Sequence, residues 1–542
     1  MRQCGNGPVF DELAPAKDWA SLRSGFKWRP AARFNIAEMI CERWANFAPD
    51  RVALIDLDAS GTAQEWTFRD LSRRSSQLAN VLTAHGIKRG DRVAVLLPQS
   101  AETLLTHLAT YKIGAILVPL FTLFGEDGLK YRLADSGAKA LVTDRENFPK
   151  IAAISDEAPD LATTLVVGGG FHRALAGARD TFECAVTGPE DPALISYTSG
   201  TTGAPKGVLH GHKVLAAHAI GARVAYDFLP HAGDLMWTPA DWAWLGGSMN
   251  AMGPSLYHGV PLLAYRMARF DPEEAFAIMA RRNVRLSFLP PTAMKLMKAV
   301  QQPGRHGHNL RAVGSAGEAM GADLLEWGKG ALGLTINEFY GQTECNMVIG
   351  NNAAIAQPEP GSMGRAMPGH HATILQADGA EAPCGEAGEL AIRSDDPGMF
   401  LRYWNKPTQT AEKFVNGWML TGDVAERDEM GRFRFSSRTD DVITSSGYRI
   451  GPTEIEDCLA SHPAVAVAAV VGAPDPVRTE VICAFVKATP GATQSDETAA
   501  ALIAHVRTRL SPHMSPARVE FVDDIPMTAT GKIMRRELRA LL

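Results

Sequence analysis

Short apolar runs alternate with longer stretches of helical spacing along much of the chain. Residues 91–98, DRVAVLLP, read as a buried strand, opened by the turn KRGD and closed by Pro98. From Ser100, SAETLLTHLATYKIG repeats apolar residues at helical spacing and ends on Gly114, a helix-capping glycine. AILVPL follows as a second strand. Strand, helix, strand in that order predicts a crossover unit and a largely parallel sheet. The same rhythm returns at KALVTD, LISYTSG and VRLSFLPP.

The texture changes near residue 360. GSMGRAMPGHHATIL, GELAIRS and GRFRFSSR are short strands of alternating character between glycine-rich turns, which predicts a small antiparallel or β-barrel-like subdomain. It changes again after Asp440. GPTEIEDCLASHP reads as a helix opened by Pro452 with acids in its first turn, and AVAVAAVVG and EVICAFVKA read as strands. The pattern thus predicts an α/β protein: a large N-terminal domain of parallel-sheet α/β subdomains with the small barrel-like one, then a small α/β lobe.

Length agrees, since 542 residues exceed one ordinary core. A formal charge of −6 is small for that length and argues against a nucleic-acid surface. The longest apolar stretches, GAILVPLFTLFG and AVAVAAVVGAP, fall well short of the roughly 20 residues of a bilayer span. The N-terminus, MRQCGNGPVFDEL, has no apolar signal core, so the expected compartment is the cytoplasm. Seven cysteines without CxxC spacing predict buried single thiols rather than disulfides or a zinc framework.

One segment carries more chemistry than the rest. YTSGTTGAPKGV, residues 197–208, follows an apolar run and crowds hydroxyls, glycines and a lysine at a strand end. Glycines let backbone approach an anion, hydroxyls and N–H groups donate to it, and a lysine adds charge. It is not a Walker loop: Lys206 follows Pro205 and precedes Gly207, where that motif has Gly before and Ser or Thr after.

This segment resembles the signature loop of the adenylate-forming (AMP-binding) enzymes, among them acyl-CoA synthetases, peptide-synthetase adenylation domains and luciferases. GSAGE at 314–318, YGQTE at 340–344, TGD at 421–423, RTDDVITSSGYRIGPTEIE at 438–456 and TGKIMRREL at 530–538 occur in the family's order, so the resemblance spans roughly residues 35–540. Ser437 departs from the glycine usual before the hinge arginine, while Arg438 and Asp440 are intact.

The resemblance implies a two-step ligase. A carboxylic acid attacks the α-phosphate of ATP to give acyl-AMP and pyrophosphate, and the thiol of CoA then takes the acyl group and releases AMP. Thr198, Ser199, Gly200, Thr201, Thr202, Gly203 and Lys206 would hold the β- and γ-phosphates. Thr343 would reach the α-phosphate, and Glu344 would hold Mg²⁺, a cation suited to carboxylate and phosphate oxygens. Gly317, Glu318, Ala319, Glu338, Tyr340, Gly341 and Gln342 would surround the nucleoside, with Tyr340 stacking on adenine. Asp423 would take the ribose hydroxyls, as an ionised carboxylate offers two acceptor oxygens, with Arg438 in support. Lys532, amid Arg535, Arg536 and Arg539 in what otherwise reads as a solvated basic tail, would neutralise the carboxylate and α-phosphate.

For the second step the family rotates its small lobe. This implies a large domain at 1–438 and a mobile lid at 439–542, hinged at Asp440. Ser446, Gly447 and Tyr448 would then meet CoA, and Arg449 would serve near the phosphate in the first state. Trp244 matches an aromatic beside the acyl group, and Gly341 stands where acetate-specific members carry a Trp, so the acyl pocket is expected to be open there. Trp242 and Trp244 could equally be core. DWAWLGG and SSGYRIG look most like medium-chain acyl-CoA synthetases, which leaves medium-chain, branched short-chain and aromatic acids as candidates. Loading of a carrier protein and a non-catalytic nucleotide-binding relative are the alternatives. The oligomeric state stays open, a homodimer included.

Overall fold

The computed structural model describes residues 13–29, 31–58, 60–198, 204–267, 269–439, 441–445, 448–475, 478–510, 512–528 and 532–542. Among these, three sheets of fourteen, seven and five strands organise the chain.

The crossover read from the sequence is present. Strand Arg92–Leu96 lies parallel to Ile116–Pro119, and the helix Ala101–Ile113 between them is capped by the Ser100 hydroxyl and closed by Gly114 at φ 73°. That helix is buried almost throughout, because it lies between two sheets rather than on a surface. Its core holds Val93 and Val95 from the seven-stranded sheet together with Met236, Leu262, Leu286 and Ala312 from the fourteen-stranded one. The long helix Phe68–Ala84 joins the same layer, opened by a capping box of Thr67 and Asp70.

In the seven-stranded sheet the parallel strands give way at one edge to an antiparallel pair, Pro192–Thr198 with Lys206–Gly211, and then to Arg402–Tyr403. The strands after residue 360 are antiparallel, as expected, and have a core of their own around Met363, Leu390 and Met419. They are not a separate barrel, however. Tyr340 pairs with Ile349 and Ile349 with Ala366, so the antiparallel strands continue the large parallel sheet.

The five-stranded sheet lies wholly beyond residue 442 and carries two small cores, one of them under the helix Pro452–Ala460. This lobe meets the rest of the chain closely: a Cβ on Gly451 would lie 2.4 Å from the Ser436 carbonyl oxygen. Thiols follow the expectation in part. Cys41, Cys345, Cys458 and Cys483 are buried and unpaired, Cys184 is half-buried, but Cys384 is exposed, because it sits in a turn before Gly388–Arg393. No described helix is long and apolar enough to cross a membrane.

Candidate active site

The phosphate segment is a hairpin. Thr198 stands opposite Lys206 at its mouth, and the tip, with Ser199, Gly200, Thr201, Thr202 and Gly203, lies outside the described residues. Both arms are tied to the helix Glu126–Ser136. The Tyr197 hydroxyl donates to Asp135 at 2.7 Å, and the Tyr131 hydroxyl donates to the Pro205 carbonyl at 2.9 Å. An anion cradle needs its donors set before the anion arrives, and these two bonds fix where the tip begins and ends.

Thr343 and Glu344 are brought to this hairpin by three contacts. His210, on the second arm, donates from Nε2 to the Thr343 carbonyl at 2.8 Å. Burial lowers that imidazole to about 3, so it is neutral, and a neutral ring facing a carbonyl must carry its proton on Nε2. Phe400 N–H donates to the Glu344 carbonyl at 2.8 Å, and the Tyr403 hydroxyl to Glu344 Oε1 at 2.5 Å. Lys206 Nζ lies 5.1 Å from the centre of the Tyr403 ring.

A second group forms around Asp423, which is only 4% exposed. Its Oδ2 accepts from the Tyr340 hydroxyl at 2.5 Å and from Gln342 Nε2 at 2.7 Å. Oδ1 lies 3.1 Å from Arg438 Nη1 yet has no hydrogen-bond partner among the described residues. Paired by charge but accepting no hydrogen bond, this buried oxygen keeps acceptor capacity, which suits a hydroxyl that arrives with a ligand. Burial and the Asp423 charge push the Tyr340 phenol well above its ordinary value, so it is a donor. Gln342, expected at the nucleoside, braces Asp423 and also donates to the Thr421 carbonyl at 2.9 Å. Lys413 was not singled out by sequence. Its Nζ donates to the carbonyls of Leu420 at 2.9 Å and Thr421 at 3.3 Å, which pins the strand Trp418–Arg427 just before Asp423.

Around the expected adenine position, Gly317 is exposed at φ 103°, a conformation that favours glycine. Glu318, next to Ala319, turns its carboxylate to Thr292 Oγ1 at 2.5 Å and Lys295 Nζ at 3.1 Å. Glu338 is buried with one weak donor, Met320 N–H at 3.3 Å. Burial, with the nearby Asp457 carboxylate, raises it to about 8. Asp457 belongs to the small lobe and comes within 3.5 Å of where a Gly321 Cβ would be, so the lobes meet beside this position.

Two expectations about the acyl pocket change. Gly341 does not border open space: a Cβ there would lie 2.4 Å from Asn346 Cα and 2.7 Å from Met347 N. The glycine is required by the close return of the backbone after YGQTE. Trp242 is core, at 1% exposure. Trp244 is half-buried and packs on Phe121 at 5.6 Å and Phe124 at 5.9 Å between ring centres. Phe124 in turn lies under the Arg132 guanidinium at 3.9 Å.

In the small lobe, Lys532 is exposed, one residue before the β-bridge of Ile533 with Met527, and its N–H donates to Thr528 Oγ1 at 3.1 Å. Its neighbours are no solvated tail. Arg535 pairs with Glu456 at 2.7 Å and Asp441 at 3.3 Å, and Arg539 with Asp441 at 2.9 Å, which fastens the C-terminal helix beside Asp441, next to the expected hinge position. Asp440, Ser446 and Gly447 lie outside the described residues, and Tyr448 and Arg449 are described only as backbone of the strand Tyr448–Ile450.

Comparison with known proteins agrees with this arrangement. Residues 41–404 match the family model for the AMP-binding enzyme, and residues 454–532 the AMP-binding enzyme C-terminal domain. The mitochondrial acyl-coenzyme A synthetase ACSM3 of Mus musculus is 32% identical over 96% of this chain and 93% of its own length. The acetyl-coenzyme A synthetase of Bacillus subtilis (strain 168) is 34% identical over 98% of this chain and 94% of its own. Among solved structures, the anthranilate CoA ligase AuaEII in complex with anthranoyl-AMP superposes with a TM-score of 0.87 at 29% identity, covering 94% of this chain and 98% of that one. The chain belongs to the AMP-binding enzyme family. It is an acid–thiol ligase of the acyl-CoA synthetase kind, an enzyme that uses ATP to form an acyl-adenylate and then an acyl-CoA.

Proposed function

We propose that the chain activates an apolar acid, of medium-chain, branched short-chain or aromatic type, and that residues 1–438 hold acid and ATP while residues 439–542 act as a lid hinged at Asp440. The observation that carries the nucleotide reading is Asp423. It is a buried carboxylate fixed on one oxygen by Tyr340 and Gln342, with its other oxygen ion-paired with Arg438 but accepting no hydrogen bond among the described residues. That oxygen accepts from a ribose hydroxyl.

In the first step the charge to be stabilised sits on the phosphates and on the acid's attacking oxygen. Lys206, Thr198 and the hairpin tip hold the β- and γ-phosphates as the leaving group. Thr343, fixed through its carbonyl by His210, offers its hydroxyl to the α-phosphate. The carboxylate at this place is Glu344, with Oε1 held by Tyr403, and the phosphates would supply most of the cation's shell. That division suits Mg²⁺, which is usually bound through one or two carboxylates plus substrate phosphates and retained waters. Mg²⁺ there would neutralise charge on the phosphate oxygens. Lys532 brings a cation to the acid and α-phosphate, and its exposed place lets it leave again. Ser446, Gly447 and Tyr448 form the CoA approach in the second step, with Arg449 near the phosphate in the first. The acyl chain lies against Trp244, whose aromatic partners support an apolar acid.

The test is a pyrophosphate-release screen over acetate, butyrate, hexanoate, octanoate, isobutyrate and benzoate, with and without CoA. The expected result is release with the larger apolar acids and acyl-CoA formation on adding CoA. A clear preference for acetate would overturn the substrate reading and leave the ligase class standing.

A further inference from the structure

Glu344 and Lys206 lie far apart in sequence and act, in the reading above, on the metal and on the triphosphate. A single side chain touches both. Tyr403 donates its hydroxyl to Glu344 Oε1 at 2.5 Å and presents its ring to Lys206 Nζ at 5.1 Å. We propose that Tyr403 is a positioning residue that aims the Glu344 carboxylate at Mg²⁺ and holds the Lys206 ammonium at the triphosphate.

The placement of Tyr403 does not depend on either partner. Its backbone pairs with Val208 on the second arm of the phosphate hairpin, and its N–H donates to Thr410 Oγ1 at 3.0 Å. Its ring packs on Phe400 at 4.9 Å between centres, and Phe400 N–H holds the Glu344 carbonyl. The residue is 1% exposed. It is therefore part of the wall, set before ATP arrives. Facing a carboxylate oxygen, which can only accept, the phenol hydroxyl is the donor of this bond. One carboxylate oxygen is then spoken for, which fixes the rotation of the carboxylate and turns the second oxygen to the cation. The ring face holds Lys206 by a cation–π contact without neutralising it, as a carboxylate would. A buried tyrosine serving only to fill the core would need a hydrogen-bond acceptor of some kind, but not the one carboxylate assigned to the metal.

The inference rests on the ATP and Mg²⁺ reading of this site, and the experiment separates the two. A non-hydrolysable ATP analogue is titrated calorimetrically into wild type, Tyr403→Phe and Tyr403→Leu, each with Mg²⁺ and with EDTA. Phe keeps the ring and removes the hydroxyl. Its affinity in EDTA should match wild type, while the gain on adding Mg²⁺ should shrink about ten-fold or more, the scale of one hydrogen bond to a charged group. Leu should in addition weaken binding in EDTA, since Lys206 loses its ring. CoA transfer from preformed acyl-adenylate should be nearly unchanged in Tyr403→Phe, which shows that its fold is intact. If wild-type binding is itself indifferent to Mg²⁺, the metal role of Glu344 falls and this inference with it. If wild type depends on Mg²⁺ and Tyr403→Phe depends on it equally, the inference about Tyr403 alone is overturned.

Discussion

The bed around Asp423 and the segment around Lys532 are built in opposite ways. Asp423 is buried, bonded by Tyr340 and Gln342, paired with Arg438 and carried on a strand that Lys413 pins. Lys532 is exposed, and the contacts the structure gives it run through its backbone to Thr528. Under the roles proposed above, the difference follows from the timing of the chemistry. AMP is held through both half-reactions, so its ribose acceptor gains from being fixed in advance. A cation needed only in the first step gains from being able to leave. Firm anchorage sits instead one step back, where Arg535 and Arg539 fasten the C-terminal helix to Asp441 and Glu456.

The sharpest way to break this comparison is Asp423→Ala. A charge-assisted bond to the ribose would be lost and Tyr340 and Gln342 would lose their shared acceptor, so nucleotide affinity should fall by roughly 10–10²-fold or more, at about 1.5–3 kcal/mol for the ribose bond alone. Because AMP stays bound throughout, pyrophosphate release and CoA transfer from added acyl-adenylate should both collapse. A variant that lost only the first would remove Asp423 from the ribose. Lys532→Ala comes next. Adenylation should fall by about 10²–10³, the scale of one transition-state charge partner, while CoA transfer from preformed acyl-adenylate should hardly change. Equal loss in the two half-reactions would mean that Lys532 does not leave the site between them.

Gly341→Trp now tests something other than acyl size. Room at that position was inferred from the absence of a side chain, but the backbone of Asn346 and Met347 already fills the space. Overpacking of this kind costs about 1–3 kcal/mol or more. The expected outcome is a lower melting temperature and a similar fractional loss of kcat/KM for acetate, butyrate, hexanoate and benzoate. Selective loss of the longer acids at unchanged stability would restore the pocket reading.

Gly341 also shows where sequence stops being legible. A glycine can mean empty space or a backbone too close for a side chain, and only the return of the chain at Asn346 decides between them. The crossover at 92–119 was legible because helix, cap and strand patterns are local, as Ser100 and Gly114 show. The antiparallel strands after residue 360 were legible as strands, but their continuity with the large sheet depends on the pairing of Tyr340 with Ile349. Among site residues, those in contiguous motifs could be named. Tyr403, Lys413 and His210 could not, because their partners Glu344, Thr421 and Thr343 are distant in sequence or reached through a carbonyl that any residue possesses. Arg535 and Arg539 misled in the other direction, since a basic run looks solvated until its carboxylates come from elsewhere in the chain.

The smallest effect is expected where the two regions meet. Glu338 is buried at the nucleoside position with Asp457 of the small lobe nearby, and its carboxyl is raised from an ordinary 4.5 to about 8. Between those values the unfolded chain has released this proton and the folded chain has not. An acid raised on folding therefore stabilises the protein fully below about pH 4.5, and that contribution is lost as pH rises through 8. Glu338→Gln cannot ionise and keeps a similar shape, so it should escape the loss. Without nucleotide, the melting temperature of the variant relative to wild type should climb between pH 5 and pH 8, by a few degrees at about 2–4 °C per kcal/mol in a protein of this size or less. Melting curves that shift in parallel for the two proteins over that range would show that Glu338 is ionised in the folded state. The boundary between the large domain and the small lobe would then carry one more negative charge at neutral pH, facing Asp457 across it.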